Sequence, residues 1–326
     1  MKKIILVLVS IQFCIIIVLV FIIYKKNISE IKRVNVNPIK KESLVFAPTE
    51  NLKYFYEPHP EEEVNTNSPY SQGVLYTINS DFLNERFEYT VEKPKNTYRI
   101  ITLGDSFTFG LFVNTPDNWT ERLEDLLNQK LKCNNIKKFE VINLSVHGYD
   151  FAYSLERFKK RGLKYNPDLV LWMLVDFHRI NEKLRPLIDY YLTKFKENGQ
   201  LDKANANKDY YLVWRTAVQQ LSNEMSEEQI YGYQTEVFKQ FFNIWRRKSL
   251  LIPVWGNNKK SIDLIKEVVK NQKQKNLINI FENLTNLREN NKVFPNDSHP
   301  TKKGHQIIAN EIFKYLLDNK LIPCKQ

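Results

Sequence analysis

A short apolar stretch that ends beside a serine constrains this 326-residue chain more than any other feature. Residues 99–110 read RIITLGDSFTFG, and the apolar run stops at Gly104. A run of about four to eight apolar residues closed by glycine is typical of a buried strand. A serine just past the carboxyl end of such a strand lies where open α/β sheets place their active sites. Ser106 is therefore a candidate nucleophile, although a strand followed by an ordinary turn explains this stretch alone.

A second stretch, far along the chain, supplies the partners that a nucleophilic serine needs. Residues 296–309 read NDSHPTKKGHQIIA. A serine hydroxyl is a weak nucleophile near neutral pH and requires a base, and an imidazole base requires a carboxylate to orient it. His299 is the candidate base and Asp297 the candidate carboxylate. We expect His305 to cap or pack the last helix, and Asp105 to fix the loop around the serine through backbone hydrogen bonds.

These stretches carry a resemblance to a known family. GDSFTFG, at 104–110, resembles block I of the GDSL/SGNH hydrolases, and the stretch around His299 resembles their block V. VINLSVHGY, at 141–149, is similar to block II, and KYNPDLVLWMLVDF, at 164–177, to the strand that leads to block III. The resemblance covers roughly residues 75–320 in the family order. It implies a serine esterase that needs neither cofactor nor metal.

The resemblance also implies an oxyanion site with one unusual position. The backbone N–H groups of Ser106 and Gly148 and a side-chain amide from block III would bind the developing oxyanion. The family has Asn-Asp after the third strand, whereas this chain reads VDFH, with Asp176 at the position of the amide. An ionised carboxylate cannot donate a hydrogen bond. Asp176 then has another role, Asn181 or His178 supplies the donor, or the site is weakened.

The spacing in block V leaves a choice for the orienting residue. The common family spacing is Asp-x-x-His, which falls here on Asn296. An amide at that position would hold the wrong tautomer of His299. We therefore assign Asp297, in an Asp-x-His spacing.

Strands alternate with helical patterns along the chain, which predicts a parallel sheet. The expected architecture is a flavodoxin-like three-layer α/β/α fold with five strands in the order 2-1-3-4-5, the SGNH hydrolase fold. A helical insertion is expected at about 178–247, with helices near 186–197, 210–222 and 229–246. Further helices are expected from Thr115, over 153–161 and from His299 onward. The predicted strands cover residues 99–103, 139–144, 169–175, 250–255 and 278–282.

The three cysteines contain no CxxC pair, which argues against a zinc site. Cys133 follows the first predicted helix and Cys324 the last. In a sheet of this order both helices cover the same face and end at the same edge. A Cys133–Cys324 disulfide is then a hypothesis that requires an oxidising compartment, and two free thiols are the alternative.

Residues 4–23 form an apolar span interrupted only by Ser10 and Gln12. Twenty helical residues at about 1.5 Å each reach about 30 Å, the hydrocarbon thickness of a bilayer. The span is long for a cleaved signal peptide and no small-residue cleavage site follows. We expect a membrane anchor at 1–26, a basic linker at 27–45, an aromatic-rich segment at 46–98 that packs on the main domain, and a hydrolase-like domain at 99–326.

Charge bears on the partners and on the orientation of the anchor. The net charge is +11, but residues 1–41 hold eight Lys and Arg against one Glu, which suits anionic lipid and argues against nucleic acid. More of these cations follow the span than precede it, which favours a cytoplasmic domain. The family resemblance implies the outer face, and we adopt that orientation.

The expected function is a membrane-anchored serine esterase that removes acyl groups, above all acetyl, from envelope polysaccharide or peptidoglycan. The reaction class follows from the residues, and the substrate only from the resemblance and the anchor. One alternative is an O-acetyltransferase-like enzyme that moves the acyl group to a sugar. The other is a non-catalytic carbohydrate-binding protein that keeps the fold. The sequence leaves the oligomeric state open.

Overall fold

A computed structural model describes residues 45–48, 56–59, 70, 73–201, 206–254, 259–282, 284, 292–295 and 297–324. The predicted anchor at 1–26 and Asn296 lie outside the described residues, as does the predicted linker except for residue 45. Within the described part, no helix combines the length and the apolar character needed to cross a membrane.

Seven strands and eight helices are numbered here along the described chain. The strands are β1 (Val45–Pro48), β2 (Tyr56–His59), β3 (Thr97–Leu103), β4 (Lys138–Asn143), β5 (Leu169–Leu174), β6 (Lys248–Pro253) and β7 (Ile278–Ile280). The helices are α1 (Ser106–Phe109), α2 (Trp119–Lys130), α3 (Phe151–Arg157), α4 (Asn181–Glu197), α5 (Ala206–Glu224), α6 (Glu227–Ile244), α7 (Lys259–Lys270) and α8 (Lys302–Asp318).

The central sheet has five parallel strands in the order β4-β3-β5-β6-β7, which is the predicted 2-1-3-4-5 arrangement. Strand β5 is buried along its whole length, because helices cover both faces of the sheet. Val170, Trp172 and Leu174 pack on one face with α3, α6 and α7. The alternate residues of β5 pack on the other face with α2 and α8. The fold is therefore a three-layer α/β/α sandwich.

The chain before the sheet contacts the domain through charges. Strands β1 and β2 form a small antiparallel pair. Glu57 on β2 is completely buried, and its carboxylate pairs with Arg157, at the end of α3, and with Arg161. Burying a carboxylate is costly unless cations pair with it, so these contacts fix β2 in place beside α3.

Several boundaries differ from the expected ones. Thr115 lies in a 3₁₀ turn, Thr115–Asp117, and its hydroxyl accepts a hydrogen bond from the Thr77 N–H. Asn118 has an extended backbone and is the N-cap of α2, which therefore begins only at Trp119. The last helix begins at Lys302 behind the N-cap Thr301, which leaves His299 on the preceding loop. Helix α7 was not expected. Helix α3 begins at Phe151 and continues into a π-helical turn, Phe158–Gly162.

A disulfide joins Cys133 and Cys324, whose Cα atoms are 5.1 Å apart. The two cysteines follow α2 and α8, which pack against the same face of the sheet. The hypothesis of this pairing is therefore confirmed, and the alternative of two free thiols is wrong.

Candidate active site

Ser106 is placed by a sharp turn between β3 and α1. Asp105 is the N-cap of α1, and its carboxylate accepts a hydrogen bond of 3.0 Å from the Phe107 N–H, as expected. A Cβ on Gly104 would lie 2.4 Å from the Thr108 hydroxyl oxygen, so this turn has room only for glycine. Ser106 is thereby presented as the first residue of α1, at the carboxyl edge of the sheet.

The structure brings Ser106, His299 and Asp297 together in one line of hydrogen bonds. His299 Nε2 lies 2.7 Å from Ser106 Oγ, and His299 Nδ1 lies 2.5 Å from Asp297 Oδ1. The backbone N–H of His299 also donates to Asp297 Oδ1, at 2.7 Å. Burial opposes ionisation of Asp297, but the hydrogen bonds from His299 outweigh it and lower the pKa of this carboxyl. Asp297 is therefore suited to hold the imidazole as a charged acceptor.

Two backbone hydrogen bonds within a short loop hold His299 opposite the serine. The Phe294 N–H donates to the His299 carbonyl at 3.1 Å, and the Thr301 N–H donates to the Lys292 carbonyl at 2.9 Å. The loop therefore folds back on itself just before α8. This local pairing fixes where the imidazole points, although His299 is not part of the helix.

His305, the other histidine of this stretch, has a structural role. It is fully buried, and its Nδ1 accepts a hydrogen bond of 3.2 Å from the Trp119 N–H at the start of α2. Burial lowers the pKa of His305 to about 3, so its ring is neutral near pH 7. The expectation that His305 caps or packs a helix is confirmed.

Two backbone donors lie open at the site. Among the described residues, neither the Ser106 N–H nor the Gly148 N–H has a hydrogen-bond acceptor. Gly148 has φ +77°, a region that favours glycine, and the Tyr56 hydroxyl packs against its Cα. That hydroxyl donates to the His147 carbonyl at 2.7 Å. The loop that carries Gly148 is thus braced by β2.

The block III residues lie beside this loop, and none of the three predicted there points a free amide at the serine. Asp176 is 38% exposed and its Oδ1 accepts the His178 N–H at 3.0 Å. His178 is itself exposed and its ring contacts Tyr231. The Asn181 amide donates to the Gly148 carbonyl at 2.8 Å.

Arg179 is a charged residue of the site that the sequence reasoning missed. Its side chain is only 21% exposed, and its Nε lies 3.6 Å from Asp176 Oδ2. Its positive charge lowers the pKa of Asp105, although burial raises that pKa more strongly. Burial lowers the pKa of His147 to about 3, and the charges of His299 and Arg179 add to this effect. The Asp-x-x-Arg spacing after β5 was the only sequence signal available.

Aromatic rings surround the imidazole. The ring centroids of Phe107 and Phe112 each lie 5.2 Å from that of His299, and Phe294 packs against Phe112. These rings reduce the contact of the imidazole with water, which strengthens charge interactions near the serine. In the described ranges, no group of three or more His, Cys, Asp or Glu residues is arranged to hold a metal ion.

Comparisons with known proteins complete the description of the site. No family model and no curated protein matches the sequence. Several solved structures are similar. A psychrotrophic esterase from Pseudoalteromonas sp. is 15% identical, with a TM-score of 0.43 over 70% of this chain and 100% of its own. An acetyl xylan esterase is 15% identical, with a TM-score of 0.39 over 67% and 99% of the two chains. A lipase/acylhydrolase from Enterococcus faecalis is 14% identical, with a TM-score of 0.37 over 70% and 99%.

Proposed function

We propose that this protein is a serine esterase of the SGNH type. The observation that carries the proposal is the line of hydrogen bonds from Ser106 through His299 to Asp297. It joins residues separated by 193 positions in the sequence. A nucleophile bonded to a base, with that base bonded to an orienting carboxylate, is the arrangement that acyl transfer requires. A carbohydrate-binding protein without catalysis has no need of this arrangement.

The reaction follows from the positions of these groups. His299 Nε2 takes the proton of Ser106 Oγ as the oxygen attacks the ester carbonyl, and Asp297 stabilises the imidazolium that forms. The N–H groups of Ser106 and Gly148 bind the oxyanion of the tetrahedral intermediate. The imidazolium then gives its proton to the leaving alcohol, and an acyl-serine remains. Water, deprotonated by His299, attacks the acyl-serine, and the acid leaves as Ser106 regains its proton.

The substrate class is narrower than the reaction class and has different support. The aromatic rings of Phe107 and Phe112 beside His299 suit a small apolar acyl group such as acetyl. The family resemblance of the motifs and the predicted anchor favour an acylated carbohydrate of the cell envelope. Deacetylation of such a polymer is therefore the activity we propose.

We further propose that residues 4–23 anchor the protein in a membrane and that the domain lies on the extracytoplasmic side of this membrane. The Cys133–Cys324 disulfide supports this orientation, because disulfides persist in oxidising compartments and are rare in the cytosol. The excess of cations after the span argued for the opposite orientation. A disulfide between two residues of the domain carries more weight than a charge bias.

The experiment uses the full-length chain, purified in detergent, with a chromogenic acetyl ester. Ser106→Ala and His299→Ala are each expected to lower kcat/KM by about 10³-fold or more, because either change removes the activated nucleophile. Ser222→Ala, which removes an exposed hydroxyl on α5, is the matched control and should leave the rate unchanged.

Three outcomes distinguish the functions. Equal rates of ester cleavage in the wild type, Ser106→Ala and His299→Ala would reject the proposal that this protein is a serine esterase. Serine-dependent release of acetate without any acceptor supports hydrolysis. Serine-dependent turnover that begins only when a sugar acceptor is added, with the acetyl group recovered on the sugar, would favour the acetyltransferase alternative.

A further inference from the structure

We propose that the guanidinium of Arg179 is the third oxyanion donor of this site, in place of the side-chain amide that the family resemblance leads one to expect. The inference rests on the proposed esterase function and names a further catalytic residue for it. Four observations carry it: the placement of the segment, the N–H donors of the guanidinium that have no acceptor among the described residues, the groups on which its charge acts, and the other hydrogen bonds of the alternative donors.

The segment that carries Arg179 is fixed beside the Gly148 loop. Residues 176–181 follow the carboxyl end of β5, next to β3 in the sheet. Asn181 donates from its amide to the Gly148 carbonyl at 2.8 Å, and from its backbone N–H to the Asp150 carboxylate at 2.5 Å. The Gln234 amide donates to the Arg179 carbonyl at 3.1 Å. The Arg179 backbone is thus held from both sides at the edge where Ser106 lies.

The guanidinium of Arg179 has N–H donors that lack an acceptor among the described residues. A guanidinium carries five N–H donors and no acceptor. Throughout the described residues, no side chain or backbone group accepts a hydrogen bond from the Arg179 guanidinium, and its Nε is buried without a partner. Asp176 Oδ2, at 3.6 Å, neutralises part of the charge but lies beyond hydrogen-bond distance. A buried donor without an acceptor costs free energy. A substrate whose oxyanion accepts a hydrogen bond from this donor would remove that cost.

The charge of Arg179 acts on the residues that immediately precede the two backbone donors. Asp105 immediately precedes Ser106. Burial raises the pKa of its carboxyl, and Arg179 is the neighbour that lowers this pKa most. His147, before Gly148, also experiences this charge. Arg179 is thus near enough to the residues before both backbone donors for its charge to act on each of them.

The other candidate donors either make a different hydrogen bond, contact another side chain, or have no proton to donate. The Asn181 amide is bonded to the Gly148 carbonyl, and His178 is exposed beside Tyr231. Asp176 accepts hydrogen bonds and does not donate them. Arg179 therefore accounts for the departure of this chain from the family pattern: the Asp176–Arg179 pair provides a cationic donor where an amide is missing.

The test compares Arg179→Gln and Arg179→Lys with the wild type, and Arg215→Gln, an exposed arginine on α5, is the matched control. The measurements are kcat and KM for the acetyl ester and the inhibition constant of a small boronic acid, which forms a tetrahedral adduct with the serine. Loss of one oxyanion donor lowers the rate by about 10²–10³-fold. We expect Arg179→Gln to lower kcat by this factor with KM changed less than about threefold, and to weaken boronate binding in parallel.

Arg179→Lys should lie between the wild type and Arg179→Gln, since it keeps the charge but not the forked donors. A direct measurement does not depend on any variant folding. In a crystal structure of the Ser106 adduct with a phosphonate ester, the guanidinium should lie within about 3.2 Å of the phosphoryl oxygen.

The outcomes separate this inference from the esterase proposal. Serine-dependent hydrolysis that Arg179→Gln lowers no more than Arg215→Gln does would overturn the role of Arg179 and leave the esterase intact. A guanidinium more than about 4 Å from the adduct oxygen would do the same. A wild type with no Ser106-dependent hydrolysis and no boronate binding would reject both.

Discussion

The hydroxyl of Tyr56 occupies the space in which a side chain on residue 148 would begin: a Cβ added to Gly148 would lie 2.6 Å from this oxygen. The next nearest atom, Cζ of the same ring, would be 3.9 Å away. One hydroxyl of β2 therefore both supports the Gly148 loop and obstructs a side chain at residue 148. This predicts a specific pattern in a double-mutant cycle.

Gly148→Ala should destabilise the protein by about 1–3 kcal/mol, since it overpacks against Tyr56 and places alanine at a positive φ. Tyr56→Phe alone should cost about 1 kcal/mol for the lost hydrogen bond to His147. The double variant should be more stable than Gly148→Ala, because the obstructing oxygen is gone. Urea unfolding and kcat are measured for all four proteins, with Tyr211→Phe as an exposed control. A double variant no better than Gly148→Ala would mean that Tyr56 is not the obstruction.

Asp297→Asn should lower kcat by about 10⁴-fold with little change in KM, because an amide favours the wrong tautomer of His299. The measurement is a steady-state assay with the acetyl ester, and Asp189→Asn, an exposed change of the same type on α4, is the control. If Asp297→Asn keeps more than about a tenth of wild-type turnover, the orienting carboxylate has been assigned to the wrong residue.

Glu85 makes stability depend on pH. It is completely buried, and burial first, then the negative charges of Glu121 and Glu124, raise its pKa above the ordinary value near 4.5. The folded state therefore retains a proton that the unfolded state loses, so the free energy of unfolding falls as pH rises above about 4.5 toward the raised pKa.

Glu85→Gln should remove this dependence, since the amide resembles the protonated carboxyl. Relative to the wild type, the variant should gain stability progressively as pH rises from about 4.5 to 8. Urea unfolding at four pH values measures the effect, with the exposed Glu236→Gln as the control. A constant difference at every pH would contradict the assignment.

Loss of the Cys133–Cys324 bond should lower the free energy of unfolding by about 2–5 kcal/mol. Cys133→Ser, Cys324→Ser and the double variant should be equally destabilised, and a reductant should bring the wild type to the same value. Urea midpoints with and without dithiothreitol measure this. A reductant that further destabilises the double variant would point to another cause.

The sequence predicted the fold well where one local pattern was sufficient. The continuous apolar run at 169–175 indicated a strand buried on both faces, and β5 is such a strand. The serine after β3 and the histidine before α8 were also identified from local motifs. The order of the strands followed from the family resemblance, and the disulfide followed from that order.

What the sequence did not predict depends on contacts between distant segments. Tyr56 and Gly148 are separated by more than ninety positions, and no local pattern connects a tyrosine of β2 with a loop after β4. Arg179 was overlooked because a surface cation is the ordinary role of arginine after a strand. Helix α8 begins after His299 rather than at it, because Thr301 caps the helix and Pro300 pairs with Val293.

The separation of Ser106 and His299 in the chain has a consequence for biosynthesis. Translation completes β3, the nucleophile turn and all five strands of the sheet before residue 299 is added, since chains fold from their amino end as they emerge. Until then the imidazole that contacts Ser106 is missing, so a chain that stops earlier lacks the base of the proposed reaction. The proposed ester cleavage therefore requires that synthesis has passed residue 299 and that the loop before α8 has folded back to the serine.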